Sequence, residues 1–316
     1  MRIGLGRMDQ PEPLISVITP AYNAAGFIQR AIHSALGQEG VSVEMVIADD
    51  GSQDETLAAV RALGERDERV RAVALPANGG PSKARNAALD AARGDWVAIL
   101  DADDAILPGR LRHMLDVAAS TGADVVLDNF YYYKLATGER DGPGLAEGPG
   151  PEMLGFERFV AGARPYAPEA DYGLLQPLIR RSFLESHGIR YPAASRHGED
   201  FLFMVDLYLA GAKVALTRAP GYLYTTRSSG WSRTRVNYDT QVRDIERLLE
   251  RDGIRDDRKL RAVLLQRGRA LQRLAAEHGV NRCVYGRDLA GLAKLLLSNR
   301  WAMPELVRVV RERFAS

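Results

Sequence analysis

Three clusters of carboxylates have the spacing of a reaction centre: Asp49-Asp50, Asp101-Ala102-Asp103-Asp104 and Glu199-Asp200. Asp101 and Asp103 form a D-x-D pair, and two carboxylates so placed can hold Mn²⁺ or Mg²⁺, hard cations that prefer oxygen. Such a metal keeps positions open for substrate phosphates and neutralises charge on a leaving group. The plainer reading makes these acids helix caps or a solvated turn. Pro108 opens a helix a few residues on, which needs one acid at most. Asp49 and Asp50 can accept a hydrogen bond from a ring N–H or a ribose hydroxyl, where an unpaired buried acid is costly. Their plainer reading is a turn in which Gly51 gives backbone freedom. Glu199 and Asp200 open a helix whose dipole favours the ionised form. A carboxylate there can take a proton from a hydroxyl as a general base. Alternatively the pair is ordinary helix-start charge. His197 is a weaker base candidate, better read as a surface or hydrogen-bonding histidine.

Other residue types complete the set. Tyr22 follows Pro20, which fixes the turn; its ring can stack on a base, or pack on its own helix. Asn78-Gly79-Gly80-Pro81-Ser82-Lys83-Ala84-Arg85-Asn86 joins a flexible loop to a helix start and two cations, a combination that favours anions. Neither the GxxxxGK[ST] phosphate loop nor the GxGxxG dinucleotide spacing is present. Arg85 is the candidate nucleotide contact, ahead of Lys83.

These residues need strands to hold them. Ile15–Thr19 precedes Pro20, Val43–Ile47 precedes Asp49, and Trp96–Leu100 precedes Asp101. In an open α/β sheet, ligands bind past the carboxyl ends of parallel strands. Amphipathic stretches alternate with the strands over the first 130 residues, which argues for crossover helices. Phe27, Ile28, Ala31, Ile32, Ala35 and Leu36 recur at helical spacing. Ser52 and Glu55 have capping-box spacing. Pro81 suits a first helical turn and Gly94 a stop. Val125–Leu127 reads as a further strand and Tyr222–Thr225 as a short one. The Gly- and Pro-rich stretch from Gly138 to Pro151 reads as a loop. It separates a donor half, ending near 137, from an acceptor half, starting near 151, on one sheet. The domain is expected over 1–235, followed by a helical region over 236–316.

Composition narrows the classes. With 316 residues, 46% hydrophobic and 26% charged, the chain fits a soluble globular protein. One cysteine, Cys283, excludes an intrachain disulfide and suits a reducing compartment. The start, Met1 to Gln10, lacks an apolar signal core, and no run approaches the ~18 apolar residues of a membrane span. A cytoplasmic protein is expected. Residues 1–235 hold 25 Lys and Arg against 30 Asp and Glu, whereas 236–316 hold 17 against 11. The basic end suits an anionic partner such as a membrane surface. Leu289, Leu292, Leu295, Leu296, Trp301 and Leu306, interleaved with Lys294, Arg300, Arg308, Arg311 and Arg313, could rest on a bilayer peripherally. Packing on the core or on a second subunit is the competing reading. Acids interleave with the arginines, so nucleic acid is not expected.

Taken in order, Val-Ile-Thr-Pro-Ala-Tyr-Asn, Asp-Asp-Gly-Ser, Gly-Gly-Pro-Ser-Lys-Ala-Arg-Asn, Leu-Asp-Ala-Asp-Asp and the later Glu-Asp pair resemble family 2 glycosyltransferases of the GT-A fold, bacterial exopolysaccharide enzymes among them. The resemblance implies an α/β fold with a mostly parallel central sheet, flanking helices and a helical C-terminal extension. It implies a nucleotide-sugar donor, leaning to UDP-hexoses, a divalent metal and inversion at the anomeric carbon. By position, Tyr22 and Asp50 would contact the base, with Pro20 shaping that turn and Asp49 supporting it. Arg85 would lie beside the nucleotide. Asp101, with Ala102, would meet the sugar-nucleotide, Asp103 would bind the metal, and Asp200 would be the base in its pair with Glu199. The acceptor would be a glycan or lipid-linked hydroxyl. Two departures stand out: Arg227 occupies the place of a late histidine, and the Gln-x-x-Arg-Trp signature of processive relatives is absent. Addition of one sugar follows as the expected mode. A nucleotidyltransferase, or a non-catalytic nucleotide-sugar-binding module, are the alternatives.

Overall fold

The computed structural model describes residues 14–195, 197–226 and 238–315, with side chains in the last stretch to 311. The readings of Met1–Gln10 and of Arg227 lie outside these residues, as does the side chain of Arg313. By internal packing the chain forms two units: 14–154 with 175–226, and 155–174 with 238–315.

The first unit begins with β1 (Leu14–Ala21), α1 (Ile28–Leu36), β2 (Ser42–Asp49), α2 (Thr56–Gly64), β3 (Val70–Ala74), α3 (Pro81–Ala91) and β4 (Trp96–Ile99). Then come β5 (Ala105–Ile106), α4 (Arg110–Thr121), β6 (Val125–Lys134), β7 (Glu139–Pro143) and β8 (Glu152–Met153). The chain passes through α5 (Phe156–Gly162) of the second unit. It returns with β9 (Leu178–Arg180), α6 (Arg181–Ser186), α7 (Glu199–Leu209) and β10 (Val214–Thr226). The ten strands among the described residues share one sheet, in the order β3-β2-β1-β4-β9-β6-β10-β5, with β7 beside β6 and β8 beside β10.

β1 is buried without interruption from Ile15 to Thr19, the polar Ser16 and Thr19 included, as a central parallel strand requires. It pairs in parallel with β2 on one side and β4 on the other. Chain order therefore reverses at β1, and the crevice for a ligand opens past its carboxyl end. The register sets Ala21 opposite Asp49, and the Leu100 amide bonds the Ile18 carbonyl. Three strand ends thus lie abreast. Strand β9 runs antiparallel between β4 and β6.

Helix α3 starts at Pro81, after Gly80 with φ of 92°. Its buried face carries Ala84 and Ala88, small enough for close approach to the sheet, and Arg85. Helix α1 buries Ile28, Ala31, Ile32 and Ala35, as the spacing requires.

Several expectations change. Ser52 does not form a capping box with Glu55: its Oγ accepts from the Asn23 amide, and the Thr56 amide opening α2 bonds Asp54 instead. Helix α4 begins at Arg110, not Pro108, because Gly109 takes a left-handed conformation. The Gly- and Pro-rich stretch is not all loop, since β7 pairs with β6 inside it. Strand β10 spans thirteen residues rather than four. Its register shifts on both sides of Pro220, which has no amide to donate.

The second unit contains α5, α8 (Tyr238–Leu249), α9 (Arg258–Gly286), α10 (Leu289–Ser298) and α11 (Ala302–Ala315). Asp257 caps α9 by accepting from the Lys259 and Leu260 amides. Ala276, Val280, Ala302 and Val309 form an apolar cluster, with Leu292, Leu295, Leu296, Trp301 and Leu306 against it. Cys283 is buried and unpaired. Among the described residues, no helix is long and apolar enough to cross a membrane.

Candidate active site

The centre is built on Arg85. Its guanidinium points from α3 past the end of β4, where Nη2 donates to Asp101 Oδ1 at 2.8 Å. Nη1 donates to Glu199 Oε1 at 2.9 Å and stands 3.4 Å from Asp200 Oδ1. Arg85 is 4% exposed in its side chain, and Asp200 is 30% exposed. A buried cation therefore holds two partly accessible acids, Asp200 and Asp101, beside the more buried Glu199. Burial opposes the Arg85 charge, but the Asp200, Asp101 and Glu199 carboxylates outweigh it and hold the guanidinium protonated. Asp200 is pushed up to about 7 by burial and by its neighbours Glu199 and Asp101, against the pull of Arg85. Its Oδ1 is buried without a hydrogen-bond partner. Glu199 and Asp200 sit in the first turn of α7, which Gly198 enters with φ of 80°.

The second strand end forms a neighbouring patch. Asp50 accepts from the Gly79 and Gly80 amides, one on each oxygen, at 2.8 Å. It thereby fixes the start of α3, the helix that carries Arg85. Asp49 Oδ2 accepts from the Ser52 amide, while Oδ1 is buried with no partner. Both acids therefore brace local backbone, Asp50 the loop before α3 and Asp49 the turn after β2. Pro20 pairs in register with Ala48 inside the sheet, and Tyr22 is exposed one residue past β1. Lys83 is exposed, with its stem close to Gly79. His197 is half-buried, and its carbonyl accepts from Ser195 Oγ.

Ala102 is buried, and Asp103 offers its carbonyl to Arg30 Nη2 at 2.5 Å and to Thr225 Oγ1 at 2.6 Å. Asp104 turns inward, accepting from the Tyr222 hydroxyl at 2.6 Å and the Thr225 amide at 2.7 Å. The Asp101 amide donates to the same hydroxyl. The turn after β4 is therefore fastened to β10. Burial, together with the charges of Asp103 and Asp101, raises Asp104 well above the usual carboxylate range.

Residues 16–185 match the sequence profile described as Glycosyl transferase family 2. The succinoglycan biosynthesis protein ExoO of Rhizobium meliloti (strain 1021) is 35% identical over 95% of this chain and 86% of its own length. The chain belongs to glycosyl transferase family 2. Succinoglycan biosynthesis protein ExoU of the same strain is 32% identical over 75% of this chain and 68% of its own. The fold agrees: S. aureus TarS 1–349, solved in complex with UDP-GlcNAc, superposes with a TM-score of 0.61 at 22% identity. That comparison covers 93% of this chain and 78% of the other, and supports a GT-A glycosyltransferase fold.

As a family 2 glycosyltransferase, the chain can be tested for a metal from its own donor set. Asp101 and Asp103 flank a turn where burial, with their like charge, raises Asp104, so a cation would relieve the repulsive part there. Among the described residues no three His, Cys, Asp or Glu side chains close around an ion. One or two carboxylates completed by substrate phosphates is the arrangement Mg²⁺ commonly takes, and the residues present fit it.

Sequence reasoning missed Arg30, Tyr191, Tyr222 and Gln176. Tyr191 lies under Arg85, 5.2 Å from its guanidinium carbon, and stacks on Phe203. Gln176 Nε2 approaches Asp101 Oδ2 at 3.5 Å. Only Tyr222 had a signal, its place in a strand-like run.

Proposed function

We propose that this glycosyltransferase moves one sugar from a nucleoside-diphosphate donor, a UDP-hexose first among them, to a hydroxyl of a glycan or lipid-linked acceptor. Bacterial polysaccharide synthesis is the proposed setting, and inversion the proposed stereochemistry. The observation that carries the reading is the Arg85 clasp, which joins Asp101 at a strand end to Glu199 and Asp200 at a helix start. The names of the succinoglycan relatives, and the UDP-GlcNAc in the TarS structure, support the setting and the donor.

Asp200, raised to about 7, is ionised in a useful fraction near neutral pH and can take the acceptor proton. As that proton leaves, the acceptor oxygen attacks the anomeric carbon and the bond to the diphosphate breaks on the opposite face. Positive charge develops on the sugar ring, as in glycoside hydrolysis, and the surrounding acids stabilise it. Arg85 keeps the acids from moving apart. Tyr22 offers an aromatic face to the base, worth ~1–3 kcal/mol in comparable stacking. Asp50, its turn supported by Asp49, is the proposed acceptor for a ring N–H of the base. A Mn²⁺ or Mg²⁺ held by Asp103 and Asp101 would neutralise charge on the departing diphosphate.

Melting temperature against a panel of nucleoside diphosphates, with and without Mn²⁺, tests this reading. Binding to the folded state alone raises the midpoint, by ~2.7 kcal/mol of stability at a hundredfold excess over Kd. A metal-dependent rise with UDP is expected. A flat response to every nucleotide in the presence of Mn²⁺ would overturn the donor assignment.

A further inference from the structure

Helix α10 presents a surface that water disfavours. Its ten residues, Leu-Ala-Gly-Leu-Ala-Lys-Leu-Leu-Leu-Ser, contain one charge and five leucines, yet none is fully buried. A helix apolar around its circumference is normally enclosed. Leu292, Leu295 and Leu296 do pack inward on the apolar cluster. On the other side Leu289, Ala293 and Leu297, at i, i+4 and i+8, are exposed, the two leucines at 80% and 91%. Helix α11 adds a second exposed row, Met303, Val307 and Val310, at i, i+4 and i+7.

The exposed charges beside these rows are mostly positive. Arg282, Arg287, Lys294, Arg300 and Arg311 are exposed, and none joins an ion pair among the described residues. Over 281–311 the only exposed acid is Asp288, whose carboxylate accepts from the Gly291 amide as the cap of α10. Glu305 is buried and paired with Arg273 and Arg308.

We propose that α10 and the exposed row of α11 rest on an anionic lipid surface. The leucines enter the boundary between headgroups and acyl chains, and the cations meet lipid phosphates. At ~15 Å long, α10 can lie in that plane but cannot cross. A second copy of the chain is the poorer occupant. In a two-fold contact a patch meets itself, and here cations would face cations around the leucines. The surface would bring a lipid-linked acceptor to the enzyme, but binding needs neither donor nor turnover, so it stands or falls apart from the proposed reaction.

Flotation of the full chain with phosphatidylcholine vesicles, with and without phosphatidylglycerol, tests the proposal. The wild type should float with anionic vesicles and be released by high salt. Leu289→Glu/Leu297→Glu should reduce the bound fraction at least about tenfold, and Lys294→Gln roughly fivefold. Leu265→Glu, an exposed leucine elsewhere on α9, should bind as wild type and controls for added charge. Unchanged circular dichroism and melting of each variant separates lost contact from lost fold. Absence of the wild type from anionic vesicles at low salt would overturn the proposal. So would equal binding by the double variant, or a wild-type dimer in solution that the double variant dissolves without any vesicle binding.

Discussion

Two arginines are buried on helices α3 and α4, and their partners differ. Arg110 meets Asp128 in a two-pronged pair, Nε to Oδ2 at 2.8 Å and Nη2 to Oδ1 at 2.7 Å, with side chains 1% and 2% exposed. Its Nη2 also donates to the Gln176 carbonyl, and its guanidinium lies over Tyr222. One cation there faces one anion. Arg85 faces three carboxylates, so that cluster keeps an excess of negative charge. A balanced pair of this kind fastens a helix to the sheet. An unbalanced one keeps an acid poised to take a proton, and Asp200 at about 7 is the result. Gln176 links the two, its carbonyl on Arg110 and its amide near Asp101.

The sharpest contrast comes from removing one member of each. Asp200→Asn should lower kcat by ~10²–10⁴-fold, the usual worth of general-base catalysis, while the melting temperature stays close to wild type. Arg110→Met leaves Asp128 charged and unpaired in the interior, and should cost about 3–5 kcal/mol of stability, read from the urea midpoint. Burial already pushes Asp128 upward, and the Arg110 charge pulls it back. An Asp200→Asn enzyme with full turnover, or an Arg110→Met protein of wild-type stability, would erase the distinction between the two clusters.

A smaller effect should appear in the pH profile. Asp200 is protonated below about 7, so kcat/KM should rise with pH through that region and level off above it. The Arg85 charge lowers the Asp200 value. Its removal in Arg85→Gln should therefore move the rising limb to higher pH, with a loss of ~10²-fold from misplaced acids. Arg85→Lys restores the charge without the fork that spans three acids. It should return the limb toward 7 while kcat stays reduced. A limb at the same pH in all three proteins would show that Arg85 does not tune Asp200.

The unbalanced cluster was the more legible of the two. Asp101 lies just past the apolar run of β4, and Glu199 and Asp200 open an amphipathic helical run, so each needs only local sequence to be located. The Arg110–Asp128 pair had no such mark. It joins the start of α4 to the middle of β6, and its Gln176 contact depends on the reversed strand β9. Sheet order is set by long-range pairing that periodicity does not report. Strand β3 was missed because Val70-Arg71-Ala72-Val73-Ala74 is a short edge run with only its first residue buried. The bracing of the Gly79–Gly80 loop by Asp50 was hidden for a similar reason. Which acid meets the Gly79 and Gly80 amides is decided by a loop some thirty residues away.

Gly221 offers the mildest probe. It lies where β10 shifts register after Pro220, and a Cβ there would come within 2.6 Å of Arg110 Cγ and of Asp128 Oδ2. Both neighbours are packed and paired, so neither can withdraw without breaking the two-pronged bond. Gly221→Ala should cost about 1–3 kcal/mol from overpacking, a lower urea midpoint with an intact fold. The next residue, Tyr222, fastens Asp104 and the Asp101 amide, so some of the strain should reach the turn after β4. The expected signature is a rise in donor KM with the pH limb unmoved, because neither Arg85 nor Asp200 is touched. A shifted limb would mean that the two arginine clusters are coupled through Gln176 rather than merely adjacent.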